Sequence, residues 1–204
     1  MLKQALILFV RKPELGKVKT RIAATVGDEA TLLIYQKLLQ HTWDITHELS
    51  VDRFVFYTEI EPDEDLWSKG GYVKMIQEAG DLGHRMRSAF ETLFQMGYEE
   101  VVIIGSDCYE LTPAIIKEAY QLLQHYELTI GPATDGGYYL LGMKKELKEV
   151  FSDVAWSTDQ VFKQTINQLE AKGHSYTLLP QMNDVDTIDD VPESWKQELS
   201  ITTS

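Results

Sequence analysis

Two uninterrupted apolar runs, Ala5–Val10 and Val101–Ile104, break the alternation of apolar and polar positions along this chain. Such runs predict central strands covered on both faces. Shorter segments rich in β-branched and aromatic residues predict strands at Arg53–Thr58, Tyr72–Gln77, Leu128–Gly131, Tyr138–Gly142 and Tyr176–Leu179. Helical spacing appears between them. Asp28–Glu48 puts Leu32, Tyr35, Leu38, Leu39 and Ile45 on one side, and Met86–Met96 does the same with Met86, Phe90, Leu93 and Phe94. Thr112-Pro113 predicts an N-cap and first position of a third helix. Ser157-Thr158-Asp159-Gln160 reads as a capping box opening a fourth, which runs to about Lys172 and stops at Gly173.

Strands that alternate with helices predict an α/β fold: a mostly parallel sheet flanked by helices. No repeat or linker divides the 204 residues, so 1–204 is expected to form one domain. In open α/β sheets, ligands bind outside the carboxyl ends of the strands. The loops expected there are Arg11–Arg21, Ser106–Leu111, Thr134–Gly137 and Asn183–Thr187.

Charge sharpens this picture. The formal net charge is −13, yet Arg11–Arg21 holds five cations and one anion. A small, highly charged anion at the end of the first strand accounts for such a loop; so does a solvated basic loop. Pro13 and Gly16 set a turn whose backbone N–H groups could line an anion cavity. Lys12, Lys17, Lys19 and Arg21 could neutralise phosphate oxygens. The spacing is not that of a Walker A loop. The acidic balance argues against a nucleic-acid polymer as partner. No apolar run reaches the roughly 20 residues of a membrane span, and a single cysteine, Cys108, excludes an internal disulfide. A cytoplasmic protein is expected.

Candidate chemistry follows the loops. Asp107, after Ser106, leaves a buried strand at its C-terminal end, where a carboxylate either holds a divalent cation or caps the next turn. Asp184 and Asp186 point the same way in an extended segment, and Thr187 can cap a helix starting at Ile188. Asp107 and Asp186 together make a split metal site; alternatively, Asp186 adds charge near that helix N-terminus. Asp135 could orient or deprotonate an acceptor hydroxyl, with Gly136, Gly137 and Tyr138 beside it, or simply belong to a turn. Gly80 and Asp81 open a helix whose N-terminus, with Arg85, suits a nucleotide or is a solvated helix start. Trp156 is a pocket wall or a half-buried core side chain. Cys108 reads as a small buried hydrophobe.

With these residues assembled, the chain resembles the nucleotide-diphospho-sugar transferase superfamily of GT-A fold. Within it, the chain is similar to a bacterial family of glycosyltransferase-like proteins carrying the label arsenosugar-biosynthesis glycosyltransferase. The resemblance spans about Ala5 to Val191. It rests on Lys12-Pro13-x-x-Gly16-x-x-Lys19-Thr20-Arg21, Gly80-Asp81-Leu82-Gly83, Gly105-Ser106-Asp107-Cys108, Asp135-Gly136-Gly137-Tyr138, Trp156-Ser157-Thr158 and Asp184-Val185-Asp186-Thr187. A looser likeness is to the 2-phospholactate guanylyltransferases, whose basic loop also ends in Lys-Ser/Thr-Arg. That pattern implies metal-binding aspartates at Asp107 and Asp186 and nucleotide phosphates on Lys12, Lys19 and Arg21. Two departures stand out: the family has Pro where this chain has Tyr109, and the fourth strand ends in one Asp rather than Asp-x-Asp.

The resemblance implies a transferase dependent on Mg²⁺ or Mn²⁺, acting on a nucleotide sugar and a small-molecule acceptor. Asp107 and Asp186 would hold the metal. Lys12, Gly16, Lys17, Lys19, Arg21, Gly80, Asp81, Arg85 and Ser106 would bind the nucleotide. Lys19, Arg21 and Asp135 would be catalytic, Asp135 by serving the acceptor, lodged near Gly136, Gly137, Tyr138 and Trp156. Nucleotidylyl transfer from an NTP to a phosphorylated acceptor, with pyrophosphate release, is the second reading; a non-enzymatic nucleotide-binding protein is the third.

Overall fold

The computed structural model describes residues 2–59 and 64–201; the ends of the 1–204 span lie outside them. Both apolar runs lie at the centre of a seven-stranded sheet. In chain order the strands are β1 (Gln4–Val10), β2 (Asp52–Tyr57), β3 (Tyr72–Ile76), β4 (Glu100–Ile104), β5 (Leu128–Pro132), β6 (Tyr138–Met143) and β7 (Tyr176–Leu178). Their spatial order is β3-β2-β1-β4-β6-β5-β7. β6 runs antiparallel to β4 and β5, while the other pairs are parallel.

Side chains alternate across the pleat, so each central strand feeds two cores. Leu6, Leu8 and Val10 face α1 (Thr20–Thr46) and α3 (Pro113–Leu123), packing with Ile34, Leu38, Ile116 and Leu123. Ala5 and Ile7 face α2 (Leu82–Gln95) and α4 (Val161–Lys172), packing with Met86, Phe90, Leu93 and Leu169. This double burial is what makes the two runs continuously apolar. A short helix, α5 (Glu193–Glu198), ends the described chain.

Two helix starts differ from expectation. α1 begins at Thr20, not Asp28, so Thr20 and Arg21 belong to a helical turn rather than to a loop. Its first stretch is set off by Gly27 (φ 80°, ψ 166°), and helix resumes at the expected Asp28. The capping box at 157–160 does not form. Thr158 Oγ1 accepts from Gln160 N at 3.2 Å and donates to Ala155 O at 2.7 Å. Gln160 is the N-cap of α4 and provides no side-chain cap. The Thr112 cap does form, accepting from Ile115 N. So does the Thr187 cap, with Asp190 as its reciprocal partner, although the helix it opens is a single 3₁₀ turn, Ile188–Asp190.

Topology brings the chemistry to one edge. β1 and β4 run parallel and open onto the same edge, with Ile104 at the end of β4 paired to Leu8 and β1 running on to Val10. Because β6 is antiparallel, its first residue Tyr138 lies at that same edge, paired with Pro132 at the end of β5.

Candidate functional site

A cavity of about 710 Å³ opens at this edge. Its wall includes Arg11, Lys19, Arg21, Arg85, Ser106, Asp107, Asp135, Gly137, Tyr138, Trp156, Asp184 and Asp186. A hollow of about 780 Å³ lies elsewhere, lined by Leu2, Tyr98, Glu100 and Lys144 among others. It carries charge as well, with Glu99, Glu146 and Lys145 also in its wall, but it lies at the start of β4, away from the carboxyl ends of the parallel strands and from every loop singled out above, so the candidate site is the smaller cavity.

Its centre is an ion cluster. Lys19 Nζ donates to Asp107 Oδ2 at 2.9 Å and to Asp186 Oδ1 at 2.8 Å. The Lys19 side chain is 10% exposed, against 37% and 36% for the two carboxylates. Burial alone would lower the lysine pKa; the charges of Asp107 and Asp186 outweigh it and hold the ammonium well above the ordinary lysine value. Lys19 is also the residue before α1 and sits in the left-handed region (φ 43°, ψ 51°), a conformation costly for an L side chain. Arg21 lies at the rim, Nη1 3.7 Å from Asp186 Oδ2 and the side chain 77% exposed.

Three connections fix the cluster. Val185 N donates to Asp107 O at 2.9 Å, joining the two carboxylate loops. Asp190 Oδ2 accepts from the backbone N–H groups of Asp186 and Thr187 at 3.2 and 2.8 Å. The phenol of Tyr35 accepts from Arg11 N and donates to Arg11 O, both at 3.0 Å, pinning the chain as it leaves β1. Gly105 lets the Asp107 carboxylate lie close: a Cβ there would meet Oδ1 at 2.7 Å. Behind the cluster, Asp184 Oδ1 is buried with no hydrogen-bond partner among the described residues. Burial, then the charge of Asp107, pushes the Asp184 carboxyl up to about 8, with Lys19 pulling the other way.

Other expected residues divide between cavity and scaffold. Lys12 and Lys17 turn away: both pair with Glu14, at 3.2 and 2.6 Å. Gly16 (φ 73°) serves the turn that closes on Glu14, and like Lys12 and Lys17 it is absent from the cavity wall. Gly80 and Asp81 also lie outside. Asp81 caps α2 by accepting from His84 N at 2.8 Å, and Gly80 (φ 141°) packs on the His84 ring. Arg85 reaches the cavity, its Nε donating to Gly80 O. Gly136 (φ 88°) is a close-approach point, since a Cβ there would meet Asp159 O at 2.2 Å. Asp135 lines the cavity while its Oδ1 accepts from Gly137 N, so turn and site coincide in one residue. Tyr138 and Trp156 meet edge to face, 6.4 Å between centroids. Cys108 is buried, its thiol pushed up to about 12 by burial and the nearby Asp184 charge, so no reactive thiolate is available at neutral pH.

The sequence reading missed Arg11, which lines the cavity, and Tyr35, which braces it. Tyr35 was legible only as one apolar position among five in a helix. The Tyr109 departure has a local explanation. Tyr109 packs on Trp195 and His41, with centroids 4.8 and 4.9 Å away, while Glu110 Oε2 accepts from Asn183 N at 2.9 Å.

The carboxylates suit a divalent cation in their chemistry. Two hard oxygens already converge on one cationic position, and an orphaned carboxylate oxygen lies behind them. Among the described residues, no group of three or more His, Cys, Asp or Glu is arranged to hold a metal. In this structure the cation between the carboxylates is an ammonium.

Residues 42–158 match the model of a family described as uncharacterized protein conserved in bacteria (DUF2064). A candidate nucleotide-diphospho-sugar transferase from Desulfovibrio desulfuricans G20 is 31% identical, with 97% of this chain and 91% of that chain covered and a TM-score of 0.84. More distant likenesses share the fold. The 4-diphosphocytidyl-2C-methyl-D-erythritol synthase of Anaerococcus prevotii DSM 20548 is 11% identical, covering 98% and 96% of the two chains at a TM-score of 0.62. The inositol-1-phosphate CTP transferase of T. maritima is 12% identical, covering 98% and 95% at 0.59. No protein of curated function matches the sequence. No helix is long and apolar enough to cross a membrane among the described residues.

Proposed function

We propose that this chain, which belongs to the DUF2064 family of bacterial proteins, is a metal-dependent transferase moving a sugar from a nucleotide-sugar donor to a small-molecule acceptor. The observation that carries the reading is the cluster of Lys19, Asp107 and Asp186 inside a cavity that also holds Arg11, Arg21, Arg85 and Asp135. The 31% identical structure, itself a candidate nucleotide-diphospho-sugar transferase, supports it.

The donor's diphosphate would lie against Lys19 and Arg21. When the bond from the anomeric carbon to the phosphate oxygen breaks, negative charge builds on the departing nucleoside diphosphate. Fixed cations aimed at that position lower the barrier by a few kcal/mol each, roughly. A divalent cation, Mg²⁺ or Mn²⁺, held by Asp107 and Asp186 would neutralise the same charge. Asp135, at the rim of the cavity, would take the proton of the acceptor hydroxyl as its oxygen bonds the anomeric carbon. Tyr138 and Trp156 would offer an apolar and aromatic wall to the acceptor. Ser106 and Arg85 would contact the nucleotide.

A second reading is nucleotidylyl transfer from an NTP, with pyrophosphate leaving. One observation favours it: four cations, Arg11, Lys19, Arg21 and Arg85, share a cavity whose β4 carboxylate is single. That is ample charge for a triphosphate.

A thermal-shift screen separates the readings, because a ligand that binds only the native state raises the melting point. Nucleoside diphosphate sugars with Mg²⁺ or Mn²⁺ are expected to stabilise the chain. Stabilisation by NTPs alone, with pyrophosphate released once an acceptor is added, selects the second reading. No response to any nucleotide contradicts both.

A further inference from the structure

This inference rests on the transferase reading and concerns when its carboxylates can hold a metal. Lys19 Nζ lies within 2.9 Å of Asp107 Oδ2 and 2.8 Å of Asp186 Oδ1. Both oxygens are thus committed to one ammonium, and a divalent cation held by Asp107 and Asp186 would compete with it for them. Mg²⁺ binds such oxygens at about 2.0–2.1 Å. An ammonium and a dication bound to one oxygen pair would crowd each other, and their three positive charges exceed those of two carboxylates. The structure also holds Lys19 in place at a conformational cost, its backbone being left-handed where Gly would be favoured. Arg21 does not share the role, because Nη1 is 3.7 Å from Asp186 Oδ2 and the side chain is mostly in solvent.

We propose that Lys19 is the resident counter-ion of the Asp107–Asp186 pair and excludes a divalent cation from the free protein. A phosphate of the donor gives the ammonium a new partner, and the carboxylates then accept the metal. The species that enters the site is therefore the metal–nucleotide complex, and the cation is not a resident cofactor.

The test is a titration of Mn²⁺ alone into the nucleotide-free protein, with free Mn²⁺ read by electron paramagnetic resonance. Lys19→Met keeps the unbranched stem, one atom shorter, and removes the charge. It is expected to bind Mn²⁺ about tenfold or more tightly than wild type, a difference of roughly 1.4 kcal/mol. Adding Asp107→Asn and Asp186→Asn to Lys19→Met is expected to abolish the gain. Equal binding by wild type and Lys19→Met, or none by Lys19→Met, overturns the exclusion; the nucleotide screen still decides the transferase reading on its own. Tight binding that survives loss of both carboxylates removes the shared site and the reading with it. Should Lys19→Met not fold, the Cε–H signal of Lys19 in ¹³C-labelled wild type carries the test. It is expected to hold its position with Mg²⁺ alone and to move with Mg²⁺ plus pyrophosphate; a shift with Mg²⁺ alone overturns the proposal.

Discussion

The indole of Trp156 lies against Gly83 so closely that a Cβ on Gly83 would come within 2.0 Å of the ring. The glycine therefore sets where this wall of the cavity stands. Alanine is favoured over glycine in a helix by about 1 kcal/mol. Overpacking costs about 1–3 kcal/mol, and here the whole ring must move. Gly83→Ala is expected to lower the melting point and change the tryptophan emission. A variant with wild-type melting point and emission would contradict this packing.

Tyr109 ties the end of the described chain to the site loop. Its ring meets Trp195 edge to face and lies beside His41. Aromatic pairs of this kind contribute about 0.5–1.5 kcal/mol beyond area burial. Tyr109→Ala is expected to destabilise the fold by about 1 kcal/mol, and to hasten proteolysis within α5, with turnover little changed. Limited proteolysis and a melting curve check both. An unchanged cleavage rate would show that α5 is held by other contacts.

Asp184 gives a pH dependence with a definite sign. An unfolded aspartate titrates near 3.9, by typical values, whereas burial and the charge of Asp107 push Asp184 up to about 8 in the fold. The folded state thus keeps the proton longer. This group costs little stability below about pH 4 and progressively more as pH rises towards 8, where the loss levels off. Asp184→Asn cannot ionise. Its stability relative to wild type is expected to improve by about 3–4 kcal/mol between pH 5 and pH 8. Equal differences at the two pH values would contradict the assignment.

What the sequence made legible follows from local physics. The central strands were readable because burial on both faces leaves no polar position in Ala5–Val10 or Val101–Ile104. The site loops were readable because a parallel sheet delivers them to one edge. The early start of α1 was hidden, since it depends on a left-handed Lys19 and a break at Gly27. The fate of Lys12 and Lys17 was partly visible, with Glu14 between them in the sequence. The seat of Lys19 was not, because its partners are 88 and 167 residues away. The capping pattern at 157–160 failed because Thr158 turned its hydroxyl to Ala155 and Gln160 rather than to the helix.

The most direct measurement is product release from the nucleotide that stabilises the chain most, for wild type and Asp107→Asn at matched melting points. Asparagine preserves the shape of the side chain and removes the charge that Lys19 now holds and a metal would use. Release of nucleoside diphosphate or pyrophosphate is expected to fall by about 100-fold or more, the scale of losing one preorganised electrostatic contact. Turnover by Asp107→Asn at the wild-type rate would contradict a reaction centred on Lys19, Asp107 and Asp186.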